Sequence, residues 1–138
     1  MKGYIGSGRK RTQTGTFKNK EYSEKTSSLT FGHHGIKILS KGILVVKELI
    51  PLKRFLLKIF KGIAKVWTRL LPQKVITKKP EEARMGKGKG KFDSWVAPVK
   101  AGVILFEISR CDFTKEQKNQ LKIVRRKLSV KTKLIHRT

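Results

Sequence analysis

The sequence predicts a single α+β domain in which two helices pack on a mixed or antiparallel sheet, behind a basic N-terminal tail. The 138 residues suffice for one domain of ordinary size but not for two well-buried ones. Apolar residues make up 38% of the chain, which is enough for a modest core. Segments with the two-residue period of strands alternate with two helix-like segments, in the order β, α, β, β, β, α, β.

Residues 1–28 are predicted to form the tail, and residues 29–138 the domain. The tail carries seven basic and two acidic residues among many Gly, Ser and Thr residues. Its few apolar side chains cannot offset the entropy of ordering it. Within it, Arg9, Lys10 and Arg11 are expected to bind phosphate, the alternative being a solvated basic run.

The domain is predicted to begin with short strands at 29–31 and 36–39, and the first helix follows. Its apolar side chains fall within about 100° of arc, and its basic ones within about 60° on the opposite side. Pro51 is expected in the first turn, where its missing N–H costs little. The apolar set is Leu49, Leu52, Leu56, Ile59, Phe60 and Ile63, and the basic set is Lys47, Arg54, Lys58, Lys61 and Lys65.

A strand is predicted next at 66–71, and residues 75–77 are expected to extend it after a turn. Two more strands are predicted at 94–97 and 103–108, joined by a turn at 100–102. Before them, residues 78–91 form a long polar connection that is expected to be flexible.

A second helix is predicted to begin at Thr114 and to run to about Arg126. Thr114 and Gln117 have the spacing of a capping box, and Leu121 and Val124 are expected to face the core. Alternation of apolar and basic residues over 130–134 predicts a closing strand.

The net charge of +25, from 34 basic and 9 acidic residues, indicates a polyanionic partner. A nucleic acid is favoured over an anionic membrane surface, although the amphipathic first helix also suits an interfacial helix. Charged residues interrupt every apolar run, so no segment is expected to span a bilayer. The single cysteine, Cys111, excludes an internal disulfide and is expected to be a small buried residue in a reducing compartment.

The most informative segment is the glycine- and lysine-rich loop within the polar connection. Its glycines allow close approach of the backbone, and its cationic side chains have almost no apolar neighbour to anchor them. Such a loop can enter a narrow crevice lined with phosphates, the alternative being a solvated hairpin tip. It has neither the Walker spacing nor G-x-G-x-x-G. The loop consists of Arg84, Met85, Gly86, Lys87, Gly88, Lys89, Gly90 and Lys91.

No catalytic residue, metal site or cofactor is predicted, and the chain is not expected to be an enzyme. Adjacent residues such as His33 and His34 cannot both face one ion from a strand. Glu81 and Glu82 are flanked by cations and are predicted to balance charge locally. No Ser or Cys lies in a nucleophile motif.

The two tryptophans, Trp67 and Trp95, lie in strand patterns and are expected to belong to the core, with stacking on bases as the alternative. Arg69 shares a strand face with Trp67, which weakens the assignment of that face to the core.

Together these motifs resemble the family of the bacterial-type large-subunit ribosomal protein sixteen. The similarity covers about residues 29–136, and its most specific part is the Arg-Met-Gly-Lys-Gly-Lys-Gly string. The matching segments are Phe31 to Lys37, Trp67-x-Arg69-x-x-Pro72, Thr77 to Glu81, Arg84 to Gly90, Trp95 to Ala97, Gly102 to Glu107 and Lys127 to Thr132.

The resemblance implies a fold of the α/β-hammerhead type, docked on large-subunit ribosomal RNA (rRNA) beside the aminoacyl-tRNA (A) site. It also implies that the protein shapes RNA around the tRNA acceptor arm near the peptidyl transferase centre and joins late in assembly. The expected partners are this rRNA, A-site tRNA and neighbouring ribosomal proteins, with no homo-oligomer. Residues 84–91 are expected to reach the tRNA and its RNA walls, and rRNA contacts are expected from Arg9, Lys10, Arg11, Lys37, Arg54, Lys58, Lys61 and Arg69.

The chain departs from the family pattern at Ile50 to Leu52, Ala101 and Ser129. Low alanine and abundant lysine are expected of an organelle-encoded member, which would work in the mitochondrial matrix, with the bacterial cytoplasm as the alternative. The alternative function is that of a free-standing basic RNA-binding protein or RNA chaperone.

Overall fold

A computed structural model describes residues 27–86, 88–109 and 112–137. The tail up to residue 26, with Arg9, Lys10 and Arg11, therefore lies outside the described residues, as do Lys87 and Cys111. The described elements are β1 (His34–Ile38), β2 (Gly42–Val45), α1 (Val46–Ile59), β3 (Val66–Thr68), β4 (Lys74–Lys78), β5 (Lys91–Val99), β6 (Ile104–Ile108), α2 (Lys115–Arg126) and β7 (Thr132–His136).

Two sheets share these strands, in the orders β3-β6-β1-β7 and β2-β5-β4. Each ladder within the described ranges is antiparallel, which confirms an α+β domain with two helices on antiparallel sheets. The predicted turn at 100–102 does join β5 to β6, but the two strands enter different sheets. Gly102, with φ of +100°, donates its N–H to the Ile38 carbonyl at 2.7 Å and so redirects the chain.

The core lies between the two helices and both sheets, since Leu44 of β2 and Val99 of β5 belong to it together with residues of the four-stranded sheet. Strand alternation turns Ile36 and Ile38 of β1, with Phe106 and Ile108 of β6, towards the helices. The helices contribute the apolar faces predicted from their period, and burial of each such side chain contributes roughly 1.5–3 kcal/mol. Their buried apolar residues are Leu49, Leu52 and Leu56 of α1 and Leu121 and Val124 of α2.

The first helix differs from its prediction at both ends. It begins at Val46, directly after β2, so Pro51 is its sixth residue and the expected place in the first turn was wrong. With no N–H, Pro51 leaves the Lys47 carbonyl without its usual helical donor. The helix ends at Ile59, and Gly62 with φ of +72° reverses the chain, so Ile63 is exposed.

The strand predicted at 29–31 is absent from the structure, and β2 was not predicted. Thr30 and Phe31 donate their N–H groups to the Glu107 side chain instead of to a neighbouring strand. The apolar run of β2 continues without a break into α1, so its period is hidden by the helix that follows.

The capping box predicted for α2 is confirmed. The Thr114 hydroxyl accepts the Gln117 N–H at 3.3 Å, and the Gln117 side-chain oxygen accepts the Thr114 N–H at 3.1 Å. Two N–H groups that the first turn would otherwise leave without acceptors are thereby bonded.

We predict that Thr114→Ala lowers the free energy of unfolding by about 1 kcal/mol, because the hydroxyl acceptor is lost. Thr114→Ser keeps the hydroxyl and should stay within a few tenths of a kcal/mol of the wild type. Urea denaturation monitored by circular dichroism measures both. Equal loss in the two variants would contradict a role for the hydroxyl.

Candidate nucleic-acid interface

The loop at residues 79–90 connects β4 to β5 and extends beyond the sheet. The last paired residues of the two strands are Lys78 and Lys91, and the pair before them is Thr77 and Phe92. Every described residue from 79 to 89 is exposed. The polar connection predicted at 78–91 therefore forms the tip of a two-stranded ribbon.

Local contacts give the loop its shape. The Lys79 ammonium donates a hydrogen bond to the Gly86 carbonyl at 2.6 Å, and the Ala83 N–H donates one to the Pro80 carbonyl at 3.1 Å. Gly86 has φ of +96° and Gly88 of +78°, a backbone region that other residues rarely adopt. The loop thus depends on glycine conformation and not on apolar packing.

The base of the loop requires a glycine for a different reason. A Cβ at Gly90 would lie 2.6 Å from the carbonyl carbon and oxygen of Lys78. Lys78 and Gly90, at the two ends of the loop, therefore lie closer together than a larger residue at position 90 would permit.

The tip presents cations to solvent. Arg84, Met85 and Lys89 are exposed, whereas Lys87 lies outside the described residues. Glu81 pairs with Lys78 at 3.3 Å, and both side chains are exposed. A pair of this kind contributes little to stability, so the contact agrees with the predicted local balance of charge.

The predicted basic residues of α1 form an exposed ridge. Arg54 and Lys58 are four residues apart on one helix face, and Lys61 follows in the exposed turn after the helix. Lys37 is half-buried beside its register partner Lys133, on the sheet face opposite the core. The structure therefore does not place Lys37 on the same surface as the ridge.

Arg69 is held by intramolecular contacts instead of projecting into solvent. Its guanidinium bonds to the Glu107 carboxylate at 2.6 Å, to the Ser28 carbonyl at 2.7 Å and to the Thr30 hydroxyl at 3.0 Å. The ring centroid of Phe31 lies 5.8 Å from its central carbon. The observed role of Arg69 is to hold the segment at 28–32, and its contact with RNA stays a prediction.

Glu107 is the buried counterpart of Arg69. Its side chain is 0% exposed, against 15% for that of Arg69. One carboxylate oxygen accepts the N–H groups of Phe31 at 2.7 Å and Gly32 at 2.8 Å, and that of Thr30 at 3.2 Å. The carboxylate thereby attaches the chain before β1 to the sheet.

Burial alone would raise the pKa of Glu107, since it removes water from the carboxylate. The hydrogen bonds from the Arg69 guanidinium and from two backbone amides outweigh burial and, with the positive charge of Arg69, hold the pKa below its ordinary value. The side chain is consequently an anion in the folded protein.

The contacts of Glu107 also explain why the segment at 28–32 lies so close to the sheet. A Cβ at Gly32 would lie 2.6 Å from the Ile108 carbonyl oxygen, and one at Gly35 would lie 2.5 Å from Leu29. Because Phe106 and Ile108 face the helices, Glu107 faces the opposite side of the sheet, where this segment covers it.

The cluster of Glu107, Arg69 and the segment at 28–32 was not predicted from the sequence. The signal available was an acidic residue inside the apolar run of β6, since a carboxylate at such a position requires a partner. Arg69 and Trp67 were predicted to share a strand face; Trp67 is half-buried, and its ring centroid lies 6.0 Å from that of Phe31.

The histidines form structural contacts. His33 bonds to the Ser109 carbonyl at 2.6 Å, and the ring of His34 lies 4.2 Å from that of Phe113. Within the part of the chain that the structure describes, no cluster of His, Cys, Asp and Glu could hold a metal ion. In the same ranges, no helix is long and apolar enough to cross a bilayer.

Residues 7–135 match the model of the family described as Ribosomal protein L16p/L10e. The chain belongs to that family. The match begins inside the predicted tail, about two dozen residues before the similarity found from motifs alone. Membership confirms the predicted resemblance and the prediction of a non-enzymatic ribosomal protein.

Three relatives of the L16p/L10e family illustrate the similarity. The chain is 36% identical over 119 residues to "Large ribosomal subunit protein uL16" of Carsonella ruddii (strain PV), covering 86% of this chain and 87% of the relative. It is 38% identical over 115 residues to the protein of that name from Protochlamydia amoebophila (strain UWE25), covering 83% and 82%. It is 36% identical over 116 residues to "Large ribosomal subunit protein uL16c" of Cyanidium caldarium, covering 84% and 82%.

We predict that Glu107→Gln lowers the free energy of unfolding at neutral pH by on the order of 3 kcal/mol, because Arg69 loses a buried anionic partner. Because the folded-state pKa is lowered, the stabilisation is present above the ordinary value near 4.5 and is lost as pH falls below it. Urea denaturation at several pH values should therefore show the two proteins converging in acid.

Glu81→Gln is the matched control, since its carboxylate belongs to an exposed pair. It should change the free energy of unfolding by less than about 0.5 kcal/mol at every pH. A constant difference between Glu107→Gln and the wild type from neutral to acidic pH would contradict the assigned pKa direction.

Proposed function

We propose that the protein is a structural constituent of the large ribosomal subunit and binds large-subunit rRNA. The observation that carries the proposal is the family match over residues 7–135, together with relatives whose names place them in that subunit. The net charge of +25 supplies the attraction for RNA.

Two exposed cationic surfaces support the proposal. One is the glycine- and lysine-rich segment 84–91, which comprises the end of the loop and the first residue of β5. The other is the α1 ridge of Arg54, Lys58 and Lys61. Cations that meet RNA phosphates release condensed counterions, and binding driven in this way weakens as salt is raised. Lys37 and the tail cluster of Arg9, Lys10 and Arg11 are proposed as further rRNA contacts.

The loop is proposed to reach A-site tRNA. Its tip lies beyond the paired strands, is exposed throughout its described residues and is shaped by glycines. Such a tip can enter a crevice between RNA surfaces without unfolding any part of the core. Through it, the protein would help to position the tRNA acceptor arm near the peptidyl transferase centre and would join the subunit late in assembly.

The mitochondrial ribosome is proposed as the place of action. Low alanine and abundant lysine support an organelle-encoded member of the family. Cosedimentation with mitochondrial large subunits would support this proposal, whereas cosedimentation with bacterial subunits would replace it with the bacterial cytoplasm.

We predict that replacing Arg84, Lys87 and Lys89 together by alanine leaves the free energy of unfolding unchanged but impairs A-site tRNA binding or subunit maturation. Stability should hold because Arg84 and Lys89 are exposed, as is every described residue from 79 to 89. The slope of log K against log salt for rRNA should decrease in magnitude by up to about 3.

The matched control replaces Lys115, Lys118 and Lys122, which are exposed on α2, by alanine. It removes the same charge from a surface outside the proposed interface. Normal translation by the loop variant, or equal impairment by the control, would contradict the role of the loop.

Ultraviolet crosslinking in intact cells, followed by sequencing of the attached RNA, tests the whole proposal. Crosslinks concentrated on large-subunit rRNA around the A site, with peptides of the loop joined to tRNA, would support it. Crosslinks scattered over messenger RNAs would instead indicate a free-standing RNA-binding protein or RNA chaperone.

A further inference from the structure

An aromatic pair lies on the β4–β5 ribbon, next to the base of the loop. Phe92 is 58% exposed, although it belongs to a paired strand, and Trp95 is half-buried. The centroids of their rings are 6.2 Å apart, and the ring planes meet at 61°. The two rings therefore form an open corner, with the Phe92 ring on its solvent side.

A bulge in β5 brings the two rings together. Ile76 pairs with Ser94 and Thr77 with Phe92, which leaves Asp93 as the extra residue. One extra residue reverses the alternation of side chains, so Phe92 and Trp95 lie on the same face although they are three positions apart.

The same bulge directs the neighbouring carboxylate elsewhere. Asp93 lies 3.4 Å from the ammonium of Lys47 and accepts the Ser94 hydroxyl at 3.1 Å. Its negative charge is therefore compensated beside the aromatic corner, where it would otherwise repel a phosphate.

The surroundings of the corner are cationic. Residues 74–95 contain seven basic and three acidic residues, a net charge of 7 − 3 = +4. Lys78 and Lys91 are exposed at the end of the ribbon, one residue beyond the pair of Thr77 and Phe92. Exposed rings beside cations are the combination with which proteins hold unpaired nucleotides.

We propose that the corner formed by Phe92 and Trp95 binds one unpaired RNA base, which stacks on the Phe92 ring with its edge against Trp95. The charge of the ribbon favours RNA over an apolar protein surface, because a protein partner would have to cover the flanking lysines with acidic groups. The proposal rests on the proposed function in that it assumes an RNA partner.

The test measures binding of the full chain to a 15-nucleotide single-stranded oligo(A) RNA at several salt concentrations. Phe92→Ala should weaken binding by at least about fivefold, since one stacked base is lost. The slope of log K against log salt should not change, because no charge is removed. Lys91→Ala should instead decrease the magnitude of that slope by about 1.

Three further variants separate stacking from other causes. Phe92→Tyr keeps an aromatic face and should bind like the wild type, whereas Phe92→Leu keeps an apolar side chain and should bind as weakly as Phe92→Ala. Ile123→Ala is the control, because Ile123 is 44% exposed on α2, away from the ribbon. Circular dichroism establishes that each variant is folded.

Fluorescence gives an independent measurement. The chain has two tryptophans, so Trp67→Phe leaves Trp95 as the sole source of tryptophan emission. Oligo(A) should quench that emission in Trp67→Phe, and a duplex of the same length should quench it less, because its bases are paired.

Unchanged affinity of Phe92→Ala, or full affinity of Phe92→Leu, would overturn the stacking site while leaving RNA binding by the protein intact. Failure of the wild type to bind any RNA or to sediment with large subunits would overturn the proposed function itself.

Discussion

The face of the four-stranded sheet that lies away from the helices depends on the ion pair between Glu107 and Arg69. A buried carboxylate in a central strand is stable only with several donors, and here it receives one guanidinium and three backbone amides. Those amides belong to the segment that leads into β1. The Glu107 carboxylate therefore fixes the path of the chain where residues 27–32 enter the domain. In this path Gly32 lies directly against the backbone of β6.

Features that depend on neighbouring residues were predictable from the sequence. The capping box of α2 needs only the spacing of Thr114 and Gln117, and the apolar face of α1 needs only its period. The exposure of the described residues from 79 to 89 follows from the composition of the loop, since it has almost nothing to bury. In each case the local preference and the tertiary structure agree.

Features that depend on distant residues were not predictable in the same way. The partner of Glu107 is 38 positions away, and the assignment of β5 and β6 to different sheets is decided by which strands pair. Pro51 shows how tertiary contacts override a local rule. The buried leucines of α1 hold the helix together across a position where one of its backbone bonds is missing.

The length of β5 has a mechanical consequence. This strand runs from Lys91, at the base of the loop, to Val99, in the core, with one bulge at Asp93, and it is the central strand of its sheet. A pull on the loop is therefore applied along the strand axis. Because the loop joins β4 to β5, the pull moves these two strands together, and it loads the hydrogen bonds between β5 and β2 in shear instead of opening them one after another from an edge. Tension on the loop is therefore resisted by the β2–β5 hydrogen bonds as a group.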